Sequence, residues 1–402
     1  MTVSIEAPAK ASPVVWSIFL GVCALWLYYV FGTSDIIERS GGNPIGRDFF
    51  NFHNGGRVAF RSFIAGDVSW LYDREAYTAY AVAAGITNAY TFSYPPHTLV
   101  ILSIIGWLPY KMALAIWSFG SAFAFVAALR PHLKHVGHDF MALCILCPAA
   151  LLSFYWGQTG LWVGALLAGG LWLTPRHPYL AGVLFGILTF KPQLGATLAI
   201  LLLVTWRWQV IKSALLTAGA LIAMSFAMFG AEPWSKFLLD TTAFQMSLMS
   251  KNIGAFDYMV LTPFRSLVLL GMSTSVAMTI HIALAVTAIA AAGWLGLTCN
   301  WDRAAGFVLI ASSIMSPYFA TYDLTLIAAG MVWLWPYLSR LSKGFLLFCM
   351  LWQSSLVLML FYVPAQITAL GTLTILIAVY LVFRDLEIES HGSEILLRSS
   401  SQ

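Results

Sequence analysis

The sequence predicts an all-α polytopic membrane protein, and three observations carry that prediction. Of the 402 residues, 60% are hydrophobic and only 9% are charged, whereas a soluble globular domain carries about 25% charged residues. The apolar residues come in long runs, and about 20 apolar residues cross a bilayer as a helix. The alternating segments of a membrane barrel are absent. The net charge of +4 is small, and the basic residues sit between apolar runs. That is a topological pattern rather than a nucleic-acid footprint.

Taken in order, the apolar runs lie at about 14–32, 110–129, 140–155, 160–174, 179–190, 192–206, 213–230, 276–298, 305–320, 322–338, 345–363 and 365–383. The first follows a short tail with one lysine and reads as a retained helix, not a cleaved signal. Two polar-aromatic loops interrupt the series, at 33–95 and 231–258. Two further apolar pieces, 96–108 and 260–271, are too short to span comfortably. The expectation is one transmembrane domain over 1–383 with a tail at 384–402. All five cysteines lie in or beside apolar runs, which suits packed, reduced thiols.

The short piece at 96–108 decides the topology. If it does not cross, Arg130, Lys134, Arg176, Arg207, Lys212, Arg303, Arg340 and Lys343 share one side, and the opposite short loops hold only Lys191. The positive-inside rule then puts those eight basic residues in the cytoplasm. The result is about twelve crossings with both termini cytoplasmic. Four polar stretches fall together on the outer face: the loop around Asp48, "WGQTG" (Trp156 to Gly160), "FKPQ" (Phe190 to Gln193) and "SPYFATYD" (Ser316 to Asp323). Ionisable groups at membrane depth are costly and mark functional sites.

Each candidate has two readings. In "NPIGRDFFNFH", Asp48 either pairs with Arg47 or caps the helix that follows, or it is a half-desolvated carboxylate with raised proton affinity, suited to a general base. Phe60, Phe63 and Ile64 follow at helical spacing and predict an interfacial amphipathic helix. Gln158 either satisfies helix-end carbonyls or binds a sugar hydroxyl. Lys191 either snorkels or holds a lipid phosphate as a point charge. Asp323, with Tyr322 before it, either caps a helix or binds substrate. Pro95 and Pro96 fix where the chain re-enters the membrane, and His97 after them is packed or faces the outer cavity. Asp73 reads as a cap, and Lys251, Asp257 and Arg265 are less distinctive. No spacing of His, Asp or Glu makes a metal site, and no Gly-rich loop suggests a nucleotide.

The ordered set "RDFFNFHNGGRVAF", "GDVSWLYD", "FSYPP", "GQTG", "AGVLFGILTFKPQ" and "SPYFATYDL" resembles glycosyltransferase family 87, over about residues 14 to 380. Its members are integral membrane enzymes of the GT-C fold. They include polyprenol-phosphate-mannose-dependent α-mannosyltransferases that build phosphatidylinositol mannosides. The resemblance implies a sugar taken from a polyprenyl phosphate carrier on the extracytoplasmic face of a bacterial inner membrane. It implies a catalytic aspartate just after the first span, here Asp48, under interfacial helices of the first loop. On this reading Asp48 takes the proton of an acceptor hydroxyl, with inversion. Lys191 holds the leaving phosphate, assisted by Arg47 or Arg57. Gln158, Tyr318, Tyr322, Asp323 and His97 contact sugar or acceptor. No cofactor is expected, and the partners are a prenyl phosphate sugar, a glycolipid or glycan acceptor, and lipid. Relatives carry His after the Ser-Pro pair, where Tyr318 stands here. The competing expectations are a transporter or flippase of a lipid-linked sugar, and a non-catalytic scaffold. A transporter would show internal repeats and a midplane site, and neither is visible.

Overall fold

Every regular element among the described residues is a helix. The computed structural model describes residues 12–32, 35, 44–65, 67–86, 92–136, 144, 146–250, 259–352 and 365–399. Lys251, Asp257 and the second half of the run expected at 345–363 lie outside them, as do the side chains of Phe63 and Ile64. The helices are α1 (Pro13–Phe31), α2 (Phe49–Ala65), α3 (Arg74–Ala83), α4 (His97–Gly106), α5 (Tyr110–Leu129), α6 (Pro148–Trp156), α7 (Gly160–Leu173), α8 (Pro178–Ile187) and α9 (Ala196–Val204). They continue as α10 (Trp208–Phe229), α11 (Glu232–Lys236), α12 (Thr242–Ser250), α13 (Pro263–Leu269), α14 (Thr274–Thr298), α15 (Trp301–Ala311), α16 (Thr325–Leu334), α17 (Arg340–Trp352) and α18 (Ala365–Ser399). The nearest approach to a strand is one antiparallel bridge, Val260 to Ala320.

The local sequence explains the starts. Proline opens α1, α6 and α8, where its missing N–H costs nothing. Side chains of Asp73, Thr262, Ser273 and Asn300 accept from first-turn amides and so satisfy donors the helix leaves open.

Four helices are long and apolar enough to cross a membrane: α1, α5 with its following turn, α10 and α14. They mark an integral membrane protein. Helix α4 has ten residues, about 15 Å of a hydrocarbon core of about 30 Å, and α13 has seven. The runs expected at 179–190 and 192–206 are less regular than full spans, because 3₁₀ turns at Leu188–Phe190 and Pro192–Gly195 flank Lys191. The run expected at 305–320 stays α-helical only to Ala311. The last run does not stop at 383: α18 continues through the expected tail to Ser399.

Contacts fix helix directions. Trp117 meets Trp162, with ring centroids 5.6 Å apart, and Phe125 lies over Gly164, so α5 and α7 run parallel. Ser213 donates to the Tyr179 carbonyl at 2.7 Å and Gly186 abuts Thr217, so α8 and α10 also run parallel. Gly306 meets Leu334 and Gly330 meets Ile310, which makes α15 and α16 antiparallel. One end of this assembly collects cations on aromatic rings. Arg207 lies 4.8 Å from Trp301, Arg303 lies 5.0 Å from Tyr337, and Lys343 lies 4.6 Å from Trp335. Helices α7 and α16 finish near that end and begin at the other. There, Thr325 of α16 donates to the carbonyl of Gly160 at 2.8 Å.

The first loop folds inward rather than lying flat. Phe49 and Phe52 of α2 are buried, whereas Phe60 is 43% exposed. Phe52 stacks on Trp117 at 5.3 Å, and α2 packs along α4, with His53 Nε2 2.9 Å from the Leu108 carbonyl. Phe49 and Phe52 are therefore core side chains, because α4 and α5 supply a protein surface for them.

Candidate active site

Asp48 stands in the turn that starts α2. Its amide donates to the Trp156 carbonyl at 3.1 Å, tying the first loop to the end of α6. Helix α6 stops at Gly157 in the left-handed region, at φ 65°, the usual place for a C-terminal glycine. A Cβ there would also lie 2.4 Å from Phe49 Cβ. This stop turns Gln158 toward the carboxylate, and Gln158 Nε2 donates to Asp48 Oδ2 at 2.7 Å. Gln158 Oε1 in turn accepts from the Thr159 amide at 3.3 Å. Arg47 Nε is 3.9 Å from Asp48 Oδ1, and its guanidinium lies 5.8 Å from the Trp156 ring centroid. Burial pushes the Asp48 carboxyl above its ordinary value, with the Arg47 charge and the Gln158 hydrogen bond acting against that rise.

Lys191 occupies the break between the two 3₁₀ turns, held by Pro192 after it and by its amide on the Leu188 carbonyl at 2.9 Å. Its Nζ donates to Asp323 Oδ1 at 2.7 Å, and both side chains are under a tenth exposed. The ammonium also lies 5.0 Å from the Tyr322 ring centroid. Burial works to lower its proton affinity, but the charge and hydrogen bond of Asp323 together with Tyr94 outweigh burial and hold the ammonium above its ordinary value. An ammonium has three donors. Asp323 takes one, and no hydrogen bond from Lys191 to any other described residue accompanies it.

The two pairs belong to one place. A Cβ on Gly160 would sit 2.0 Å from the Tyr322 carbonyl, so only glycine allows α7 to start against the segment bearing Tyr322 and Asp323. Two residues from Gly160 is Gln158, and Tyr94 spans the remaining distance. Its ring packs between Phe52 and Phe190 at 5.1 and 6.1 Å, and the charges of Lys191, Asp323 and Asp48 all bear on its phenol. Asp48, Arg47, Gln158, Lys191, Tyr322 and Asp323, from four separate segments, thus share the end of the assembly opposite the cation-rich one.

Other expected residues stand apart. Arg57 donates to the Tyr80 hydroxyl and to Asn54 at 3.4 Å, which commits it to holding α2 against α3. His97 Nε2 is 3.2 Å from the Thr189 hydroxyl, and its ring stacks on Trp234 at 5.8 Å. That contact ties the second loop to α4 rather than reaching Asp48. Tyr318 packs with Val260, Phe264 and Ala277. Two residues that the fold places in this cluster were not singled out in the sequence. Tyr94 was read only as part of a re-entry turn, and Thr159 only as part of "WGQTG". Neither carries a charge or a spacing that singles it out, and only the fold brings them beside Asp48.

The arrangement can take a proton at Asp48 and hold an anion at Lys191, with aromatic rings beside both. The family model of glycosyltransferase family 87 matches residues 92–319, more than half of the chain. That stretch includes Tyr94, Gln158, Lys191 and Tyr318 and leaves Asp48, Tyr322 and Asp323 outside it. Neither the curated proteins nor the solved structures gave a match.

Proposed function

Because the chain belongs to glycosyltransferase family 87 and is therefore a glycosyltransferase, we propose that it moves a hexose, mannose as the first choice, from a polyprenyl phosphate carrier to a hydroxyl of a lipid or glycan acceptor. The observation that carries this reading is the placement of a burial-raised carboxylate, Asp48, and a buried ammonium, Lys191, at the same end of the helix assembly. A prenyl phosphate sugar presents an anomeric carbon bonded to phosphate at that depth. In a single inverting displacement, the acceptor hydroxyl gives its proton to the Asp48 carboxylate and its oxygen bonds to the anomeric carbon. The carbon–oxygen bond to phosphate breaks, and the departing dianion is held by Lys191, whose contact gains strength from the low dielectric. Asp323 keeps Lys191 charged until the phosphate arrives. Arg47 adds positive charge, and Tyr322 lines the cavity.

The reading extends to a GT-C arrangement with about twelve crossings and both termini in the cytoplasm of a bacterium. Parallel pairing of α5 with α7, and of α8 with α10, supports it, since each parallel pair needs one return passage between its members. The clustering of cations at the end away from Asp48 supports an extracytoplasmic site. The test is transfer of radiolabelled sugar from a prenyl phosphate carrier by purified wild type and Asp48→Asn. The variant should bind the carrier normally and lose about 10²–10⁴-fold in rate, the usual contribution of a general base. Near-normal turnover would remove Asp48 from the mechanism, and no turnover of any such donor by wild type would remove the reading itself.

A further inference from the structure

The proposed reaction assigns groups to the acceptor proton and to the phosphate but none to recognition of the sugar itself. Two hydroxyls at the site are unassigned. Thr159 is 2% exposed, and its Oγ1 has no hydrogen-bond partner among the described residues. Thr174 and Thr205 turn back on a helical carbonyl four residues earlier, Gly170 at 2.8 Å and Leu201 at 2.7 Å, whereas the hydroxyls of Thr98 and Thr241 are unpaired among the described residues, as that of Thr159 is. Thr159 has no such option, because α6 has already ended at Gly157. An unpaired buried hydroxyl costs about 1–3 kcal/mol, so its persistence calls for a ligand that restores the bond. Facing it is the phenol of Tyr94, whose hydroxyl comes within interacting reach of the Thr159 side chain.

Both groups are fixed. The Tyr94 ring is gripped by Phe52 and Phe190, and its carbonyl accepts from the Tyr72 hydroxyl at 3.1 Å. Thr159 is held by its amide on Gln158 and by its carbonyl, which accepts from the Val163 amide at 2.9 Å. In sequence, Thr159 adjoins the residue that binds Asp48, and Phe190 adjoins Lys191. The two hydroxyls therefore stand between the proton acceptor and the ammonium, where the sugar ring would lie.

We propose that the Thr159 hydroxyl and the Tyr94 phenol form the sugar-recognition element of the site, pairing with hydroxyls of the transferred hexose. Each is neutral and can both donate and accept, which matches a sugar hydroxyl and gives no advantage to a phosphate, which offers mainly acceptors. Sites that hydrogen-bond a substrate hydroxyl also discriminate strongly against ligands that lack it. This inference rests on the glycosyltransfer reading above.

The test measures binding of two probes, citronellyl phosphate and its mannosyl derivative, to detergent-purified full-length protein. Thr159→Val and Tyr94→Phe should each weaken the mannosyl probe by about five- to tenfold, the effect of one lost hydrogen bond. Citronellyl phosphate should bind them as it binds wild type. Thr159→Ser, which keeps the hydroxyl, should restore the mannosyl affinity. Lys191→Met should weaken both probes. Equal loss of both probes in Thr159→Val and Tyr94→Phe would assign these residues to the phosphate or to folding and overturn the proposal. Unchanged affinity for the mannosyl probe would overturn it too. Failure of wild type to bind either probe would instead overturn the donor class, and the sugar element with it.

Discussion

Replacing Gln158 by leucine should move the acidic limb of the rate profile upward. The structure gives the size. Gln158 Nε2 donates to the carboxylate at 2.7 Å, and a hydrogen bond to a charged group contributes about 1.5–3 kcal/mol. At about 1.36 kcal/mol per pK unit, its loss raises the proton affinity of Asp48 by about one to two units. The sign follows from the role. A general base works unprotonated, so activity falls as pH drops through its pKa, and a higher pKa brings that fall to higher pH. Burial raises the Asp48 carboxyl above its ordinary value, so the wild-type limb is expected above the ordinary carboxylate value. The assay is the initial rate of radiolabelled transfer from a prenyl phosphate sugar, measured from pH 4 to pH 9 at subsaturating donor. Arg47→Met should shift the limb in the same direction, since its charge, 3.9 Å from the carboxylate, also holds the Asp48 proton affinity down. A limb that stays in place in Gln158→Leu would refute the assignment of Gln158 as the residue that positions and tunes Asp48.

Three further outcomes are expected. Asp323→Ala should lower stability by about 3–5 kcal/mol, because it leaves the Lys191 ammonium buried without its 2.7 Å partner; thermal unfolding in detergent measures this, and the double variant Lys191→Met with Asp323→Leu should recover most of the loss. Gly160→Ala should abolish transfer and lower the melting temperature, since its methyl would overlap the Tyr322 carbonyl; a variant with wild-type activity would show that α7 can move away from the segment bearing Asp323. In a cysteine-free background, an impermeant thiol reagent should label Glu232→Cys in intact cells and Arg176→Cys only after permeabilisation; the reverse order would place the Asp48 end of the protein in the cytoplasm.

Much of the site was legible because its residues are conspicuous against their background. In a chain this poor in charge, Asp48, Lys191 and Asp323 stand out simply by interrupting apolar sequence, and counting basic residues between runs placed all three on one face. The same reasoning misassigned emphasis where a contact is long-range. Phe49 and Phe52 are buried, and nothing local announces that α4 and α5 will cover them. Arg57 looked available for phosphate, because the Tyr80 hydroxyl that engages it lies 23 residues away. Tyr94 and Thr159 carried no signal at all, being ordinary residues in motifs read for their prolines and their glutamine.

By itself the sequence determined the helical membrane class, the order and rough extent of the apolar runs, and the charges that have no cheap place in a bilayer. Hydrophobic length and charge asymmetry are sums over residues, so they survive without knowledge of packing. Only the tertiary structure decided which polar group meets which: Gln158 with Asp48 and Asp323 with Lys191, with Tyr94 near both pairs. Those pairings depend on backbones meeting at Gly157 and Gly160 and on the directions of α5, α7, α8 and α10. Such distances are set by side-chain packing between segments more than a hundred residues apart, which no local pattern encodes.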